Sequence, residues 1–104
     1  MEVEGEPEKK MSESDKYSLD VFKKASESGD VPKIYFNHPV VFYNPGDISM
    51  LLQMNGSPVA VINMSFTVAK TVAAHLGSVI AGVEEKTGNK IMTIDDIATA
   101  LGMK

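Results

Sequence analysis

The sequence predicts an α+β fold: an antiparallel meander of three or four strands packed against one long helix, with a short C-terminal helix completing the core. Three observations predict it. Residues 33–64 are rich in β-branched and aromatic residues, in short runs broken by turn residues. Asn55-Gly56 lies between two apolar runs, and that dipeptide favours the type I′ turn of a tight hairpin. From Ser65 the apolar period changes to the helical one and holds until Gly88.

Residues 1–14 hold Glu2, Glu4, Glu6, Glu8, Lys9, Lys10 and Glu13 and almost nothing to bury. They read as a disordered tail. Tyr17, Val21, Phe22 and Ala25 then fall at helical spacing, which predicts a helix over 15–28 closed by Gly29. The stripe is thin, so residues 1–31 are expected to be a mobile N-terminal segment and residues 32–104 a single domain.

Residues 33–36 and 40–43 suit strands, with Asn37-His38-Pro39 bulging or breaking one long edge strand. Asn44-Pro45-Gly46-Asp47 predicts a turn in which proline fixes φ and glycine takes a positive φ. A two-residue loop at Asn55-Gly56 sets the hairpin register: Met54 opposite Ser57, Gln53 opposite Pro58, Leu52 opposite Val59 and Met50 opposite Val61. Pro58 then occupies a non-hydrogen-bonded pair, where its missing N–H costs the hairpin nothing. Val59, Ala60, Val61 and Ile62 are apolar on both parities, as in a strand covered on both faces.

Ser65 is a natural N-cap and Gly88 a natural C-terminal stop for the long helix between them. At about 100° per residue, Val68, Val72, Leu76, Val79 and Val83 form one stripe, and Ala69, Ala73, Gly77 and Ala81 form a second beside it. Thr67, Thr71 and Ser78 lie opposite, with Lys70 and His75 nearer the margins. The small-residue stripe lets another backbone approach, and Ala69, Ala73, Gly77 and Ala81 are the candidate self-association face of a homodimer. Gly77 and Gly82 each cost about 1 kcal/mol of helix stability against alanine, which close packing would offset. Thr93 and Asp96 make an acidic variant of the capping box for a helix over 94–101, and Gly102 stops it.

That last helix resembles the first helix and turn glycine of a helix-turn-helix: Ala98 and Gly102 are four residues apart, with Ile94, Ile97 and Leu101 expected to face inward. The recognition helix that would enter a major groove needs about ten further residues after the turn, and Lys104 is two residues past Gly102. The net charge of −4 also has the wrong sign for displacing counterions from phosphates. A core helix is therefore the expected role.

No catalytic, cofactor-binding or metal-binding set can be assembled from the sequence. There are no cysteines, which removes disulfides, thiolate zinc sites and cysteine nucleophiles and fits a reducing cytoplasm. His38 and His75 have no zinc-type spacing. His75 falls at the edge of the polar face, whereas His38, between Asn37 and Pro39, is the better candidate for a role. Gly77 to Gly82 has the glycine separation of a phosphate loop but is followed by Val83 and Glu84, and an interior helical position offers no free N–H groups. Ser57 is a hairpin residue outside any nucleophile elbow. Asp95 and Asp96 are explained by the helix dipole, and Asp20, Asp30 and Asp47 lack the spacing of a calcium loop. The seven methionines suit either an adaptable binding surface or core gaps. The longest runs free of charge, residues 48–69 and 71–83, are interrupted by polar residues and by glycine, so no membrane span is expected.

Asn37 before PVVFY, the Pro45-to-Asp47 turn, and PVAVINMS leading into a helix with Ala69-Lys70 and ending EEKTG carry a resemblance. Over about residues 33–88 the chain resembles a family of short, functionally uncharacterised bacterial and archaeal proteins. The resemblance implies a small α+β domain and carries over no catalytic residue. The functional expectation is a non-enzymatic protein-interaction module, homodimeric and cytoplasmic, without cofactor. The alternative is a regulatory or nucleic-acid-associated module acting through the helix at 94–101.

Overall fold

The computed structural model describes residues 12–103. The elements run α1 (Glu13–Glu27), β1 (His38–Tyr43), β2 (Ile48–Met54), β3 (Ser57–Met64), α2 (Phe66–Thr87) and α3 (Ile94–Ala100). The chain is α+β, and it divides into two compact units, Met1–Tyr35 and Phe36–Lys104. That boundary falls a few residues beyond the one expected at residue 31, and the tail predicted at residues 1–11 lies outside the described residues.

In the first unit, Ser12 caps α1 by accepting a hydrogen bond from the Asp15 amide at 3.0 Å. Asp20 and Lys24 pair at 3.2 Å one turn apart on its surface. The helix ends at Ser28 in an extended conformation; Gly29 does not take the left-handed stop assigned to it from the sequence. The Lys33 ammonium donates to the Ser28 carbonyl and holds the chain as it leaves the helix.

The second unit is built on a three-stranded antiparallel sheet in the order β1-β2-β3. Residues 33–36 are not a strand, so the meander has three strands and not four. Asn37 is where pairing starts: its amide donates to the Gln53 carbonyl at 2.9 Å. Pro39 lies within β1, which is an edge strand and tolerates it. The β1–β2 turn owes its shape to Asn44, whose Oδ1 accepts from the Gly46 amide at 2.8 Å and the Asp47 amide at 3.0 Å. Gly46 does not adopt a positive φ, so the side chain of Asn44 supplies what the glycine was expected to supply.

The β2–β3 hairpin turns at Asn55 (φ 52) and Gly56 (φ 88), both left-handed, as a type I′ turn requires. Met54 pairs with Ser57 and Gln53 with Pro58, as the loop length predicts. The register then slips: Leu52 pairs with Ala60 and Met50 with Ile62, and not with Val59 and Val61. Val59 is the extra residue of a β-bulge, and the reason is visible in what the bulge does to the faces. An unbulged ladder would place Asn63 on the face that carries Met50 and Ile48. The bulge moves Asn63 to the other face, opposite Ser49, whose hydroxyl donates to Asn63 Oδ1 at 2.6 Å. Ala60, Ile62 and Met64 then join Leu52, Met50 and Ile48 on one apolar face.

Ser65 alone separates β3 from α2 and caps the helix by accepting from the Val68 amide at 3.1 Å. Gly88 ends α2 in the left-handed conformation (φ 72), and the Glu84 carboxylate accepts from the Ile91 amide at 2.9 Å, which folds the following link back on the helix. The capping box of α3 is complete: Thr93 Oγ1 accepts from the Asp96 amide and Asp96 Oδ2 from the Thr93 amide, both at 3.0 Å. Gly102 (φ 74) closes α3 in a Schellman motif, with the Met103 amide donating to the Ala98 carbonyl at 2.8 Å.

Burial departs most from expectation. Among the described residues Leu52, in the central strand, is the one fully buried side chain, at 1% exposure. Neither helix of this unit is packed flush on the sheet. Ile94, Ile97 and Leu101 of α3, expected to face inward, are exposed in the single chain, and so are Val59, Val61 and Ile62 of the strand expected to be covered on both faces. The periodicity marked these residues as apolar, but periodicity carries no information on whether the covering group belongs to the same chain.

Candidate functional site

The most extensive unusual feature is apolar surface, and α2 carries much of it. The helix has 22 residues, so it is about 33 Å long, against about 23 Å for the seven residues of β2. Its apolar arc divides in two. Ala69, Val72, Ala73 and Leu76 form one wall of a cavity of about 270 Å³, whose other wall is Val41, Ile48, Met50 and Met64 of the sheet. The remaining apolar positions turn away from that wall, with Val79 at 64% and Val68 at 50% exposure; Leu76, which lines the cavity, is still 61% exposed.

The four residues singled out as a self-association face therefore separate. Ala69 and Ala73 line the cavity toward the sheet, whereas Gly77 and Ala81 do not. The cause is helical winding: a row of every fourth residue advances about 40° per step, so Ala81 lies about 120° round from Ala69. A Cβ added at Gly77 or Gly82 would meet nothing within 4 Å, so neither glycine is explained by packing within the chain.

The sheet face turned away from the cavity is also apolar. Alternation and register place Val40, Phe42, Leu51 and Val61 on it, with Phe42 at 56% and Val61 at 61% exposure. The two-sided apolar run at residues 59–62 points to Val61 of this patch, but the sequence does not single out Val40, Phe42 and Leu51 or the sheet wall of the cavity. The signal for the cavity wall was present in β2, whose sequence ISMLLQM is wholly apolar at one parity, Ile48, Met50, Leu52 and Met54, while the other carries Leu51 between Ser49 and Gln53.

His38 is the titratable residue in the most structured polar surroundings. It borders a hollow of about 410 Å³ shared with Asn37, Gln53, Asn55, Gly56 and Ile94, and a second of about 240 Å³ shared with Pro39, Thr93, Ile94 and Asp95. Asn37 and Asn55 are engaged with each other: Asn37 Nδ2 donates to Asn55 Oδ1 at 2.9 Å, and the Asn55 amide donates to Asn37 Oδ1 at 3.0 Å. These bonds brace the hairpin turn. An imidazole and a carboxylate thus border one hollow, but the hydroxyl beside them, on Thr93, already serves the α3 cap. His75 lies exposed on α2. Among the described residues no three His, Asp or Glu side chains cluster in a way that could hold a metal ion.

By length and composition α2 is apolar enough to cross a membrane, with a mean hydropathy of 1.4 over its most apolar window, which the interrupted charge-free runs of the sequence did not suggest. One such helix is weak ground for a span, and Thr67, Thr71, His75 and Ser78 give α2 a polar side that lipid would have to accommodate.

Comparison of the chain with family models, with curated proteins and with solved structures returned no match.

Proposed function

We propose that this chain is a non-enzymatic protein-interaction module that works as a homodimer. The observation that carries this reading is the mismatch between apolar surface and burial: one leucine is fully buried among the described residues, while α2 and both faces of the sheet expose large apolar side chains. Fully burying one leucine contributes about 1.5–3 kcal/mol, whereas fixing the backbone of each residue costs about 1–2 kcal/mol. A fold with so small an interior is completed by association, and a second copy is the partner always present at the chain's own concentration. The outer sheet face, with Phe42 and Val61, offers a further surface for a protein partner.

Light scattering on a sizing column at micromolar concentration tests the reading: a mass of twice 11.2 kDa is expected, and a monomer at all concentrations contradicts it. The alternative of a nucleic-acid-associated module acting through α3 has less support. Ile94 and Ile97 of α3 and Leu101 at its C-cap expose large apolar side chains, and its first turn carries Asp95 and Asp96, which repel phosphate.

A further inference from the structure

We infer that the second copy joins edge to edge at β3: two β3 strands pair antiparallel about a two-fold axis through Ile62, and two three-stranded sheets become one of six strands. This rests on the homodimer reading above and names the edge through which the copies meet.

β3 is an edge strand, and the ladder decides which of its backbone groups are left over. Met54 and Ser57 flank the two-residue turn and form a hydrogen-bonded pair. Alternation along β2 then makes Met50–Ile62 and Ile48–Met64 bonded pairs, and Leu51–Val61 and Ser49–Asn63 non-bonded ones. The N–H and C=O of Val61 and Asn63 therefore point outward, away from β2. Such a row is matched by another extended strand.

Three features make a second β3 that strand. With Ile62 on the axis, Val61 of each copy lies opposite Asn63 of the other, and every outward group of these residues finds a partner, two bonds in each of two pairs. β3 (SPVAVINM) carries no charge, so self-pairing sets no like charges opposite each other. On the face toward α2, Ile62, 40% exposed in the single chain, meets its twin, and Ala60 meets Met64. Finally, the two edges of the sheet differ. Pro58 and the bulge at Val59 guard only the start of β3, and residues 60–64 lie open. In β1 the outward N–H opposite Leu52 is missing, because Pro39 stands there. Pairing thus stops at β1, and the assembly closes at two copies. The axis stands perpendicular to the joined sheet, so both α2 helices share one face of it.

The absence of cysteine allows a direct test, since any introduced thiol is unique. Ile62→Cys places two thiols opposite each other in a non-bonded pair, a spacing a disulfide can bridge. Tyr43→Cys, exposed on β1, is the control. Both are oxidised at a concentration where the unmodified chain is dimeric, with circular dichroism confirming the fold. Ile62→Cys should cross-link nearly completely and Tyr43→Cys should stay uncoupled. In the unmodified dimer the Val61 and Asn63 amides should exchange slowly, and dilution to monomer should release them. Val61→Pro removes one outward donor per copy and should raise the dissociation constant about a hundredfold; if that variant does not fold, exchange and cross-linking decide. Fast exchange at Val61 and Asn63 in a dimer, coupling at Tyr43→Cys alone, or an unchanged dissociation constant in folded Val61→Pro overturns this edge and leaves the homodimer reading standing. Protected amides without coupling at Ile62→Cys would put a different segment or register on the edge and also overturn the inference. A monomeric chain overturns both.

Discussion

Truncating Leu76 to alanine separates a helix that faces water from one that faces a partner. In the single chain Leu76 is 61% exposed, which leaves about 110 Å² of it open to solvent. If that surface faced water in the working protein, Leu76→Ala would forfeit only the part of the side chain that lines the cavity, about 1 kcal/mol within the single chain, and would leave self-association unchanged. If a second copy covers it, covering is worth about 2.7 kcal/mol per copy at about 25 cal/mol per Å², and truncation forfeits about two thirds of that. Two copies then lose about 4 kcal/mol, which is about a thousandfold rise in the dimer dissociation constant. Sedimentation over a dilution series measures that constant directly. A dissociation constant unchanged within about threefold would refute the reasoning, because 1.4 kcal/mol corresponds to a factor of ten.

Further outcomes follow from the local geometry. Gly82→Ala should stabilise the protein by about 1 kcal/mol, read from denaturant midpoints, because the added Cβ meets nothing within 4 Å and the helix gains propensity. Gly56→Ala should destabilise by about 1–2 kcal/mol, since φ is +88 there and an L side chain is strained in that region. Asn37→Ala removes both side-chain bonds to Asn55 and should cost about 1 kcal/mol, with faster amide exchange at the hairpin turn. Deleting Val59 should leave the chain folded, because Ala60, Ile62 and Met64 keep their partners once the bulge is gone; loss of the fold would show that the bulge itself is required.

Local chemistry was legible in the sequence where one residue type decides the backbone. Ser65, Gly88, the Thr93–Asp96 pair and the Asn55-Gly56 turn each act within a few residues, and each stands where the sequence placed it. The failures share a cause. The bulge at Val59 is a choice between two registers, settled by where Asn63 ends up, and that depends on which face meets α2. Proline and glycine dominate the composition of the turn at Asn44, yet a side-chain carbonyl shapes it, and residues 33–36 have the composition of a strand without a partner to pair with. For the candidate site, the small-residue row on α2 was easier to see than the surface it competes with. Only the position of the sheet shows that Ala69 and Ala73 are occupied while Val68 and Val79 are not.

The central claim is that the apolar surface of one chain is covered by another. The measurement that meets it most directly is the denaturant midpoint of the unmodified chain over about a hundredfold range of protein concentration. Coupled folding and dimerisation predict a midpoint that climbs steadily with concentration. A midpoint that stays constant over that range, with one cooperative transition, would mean the single chain holds its fold unaided and would contradict the account.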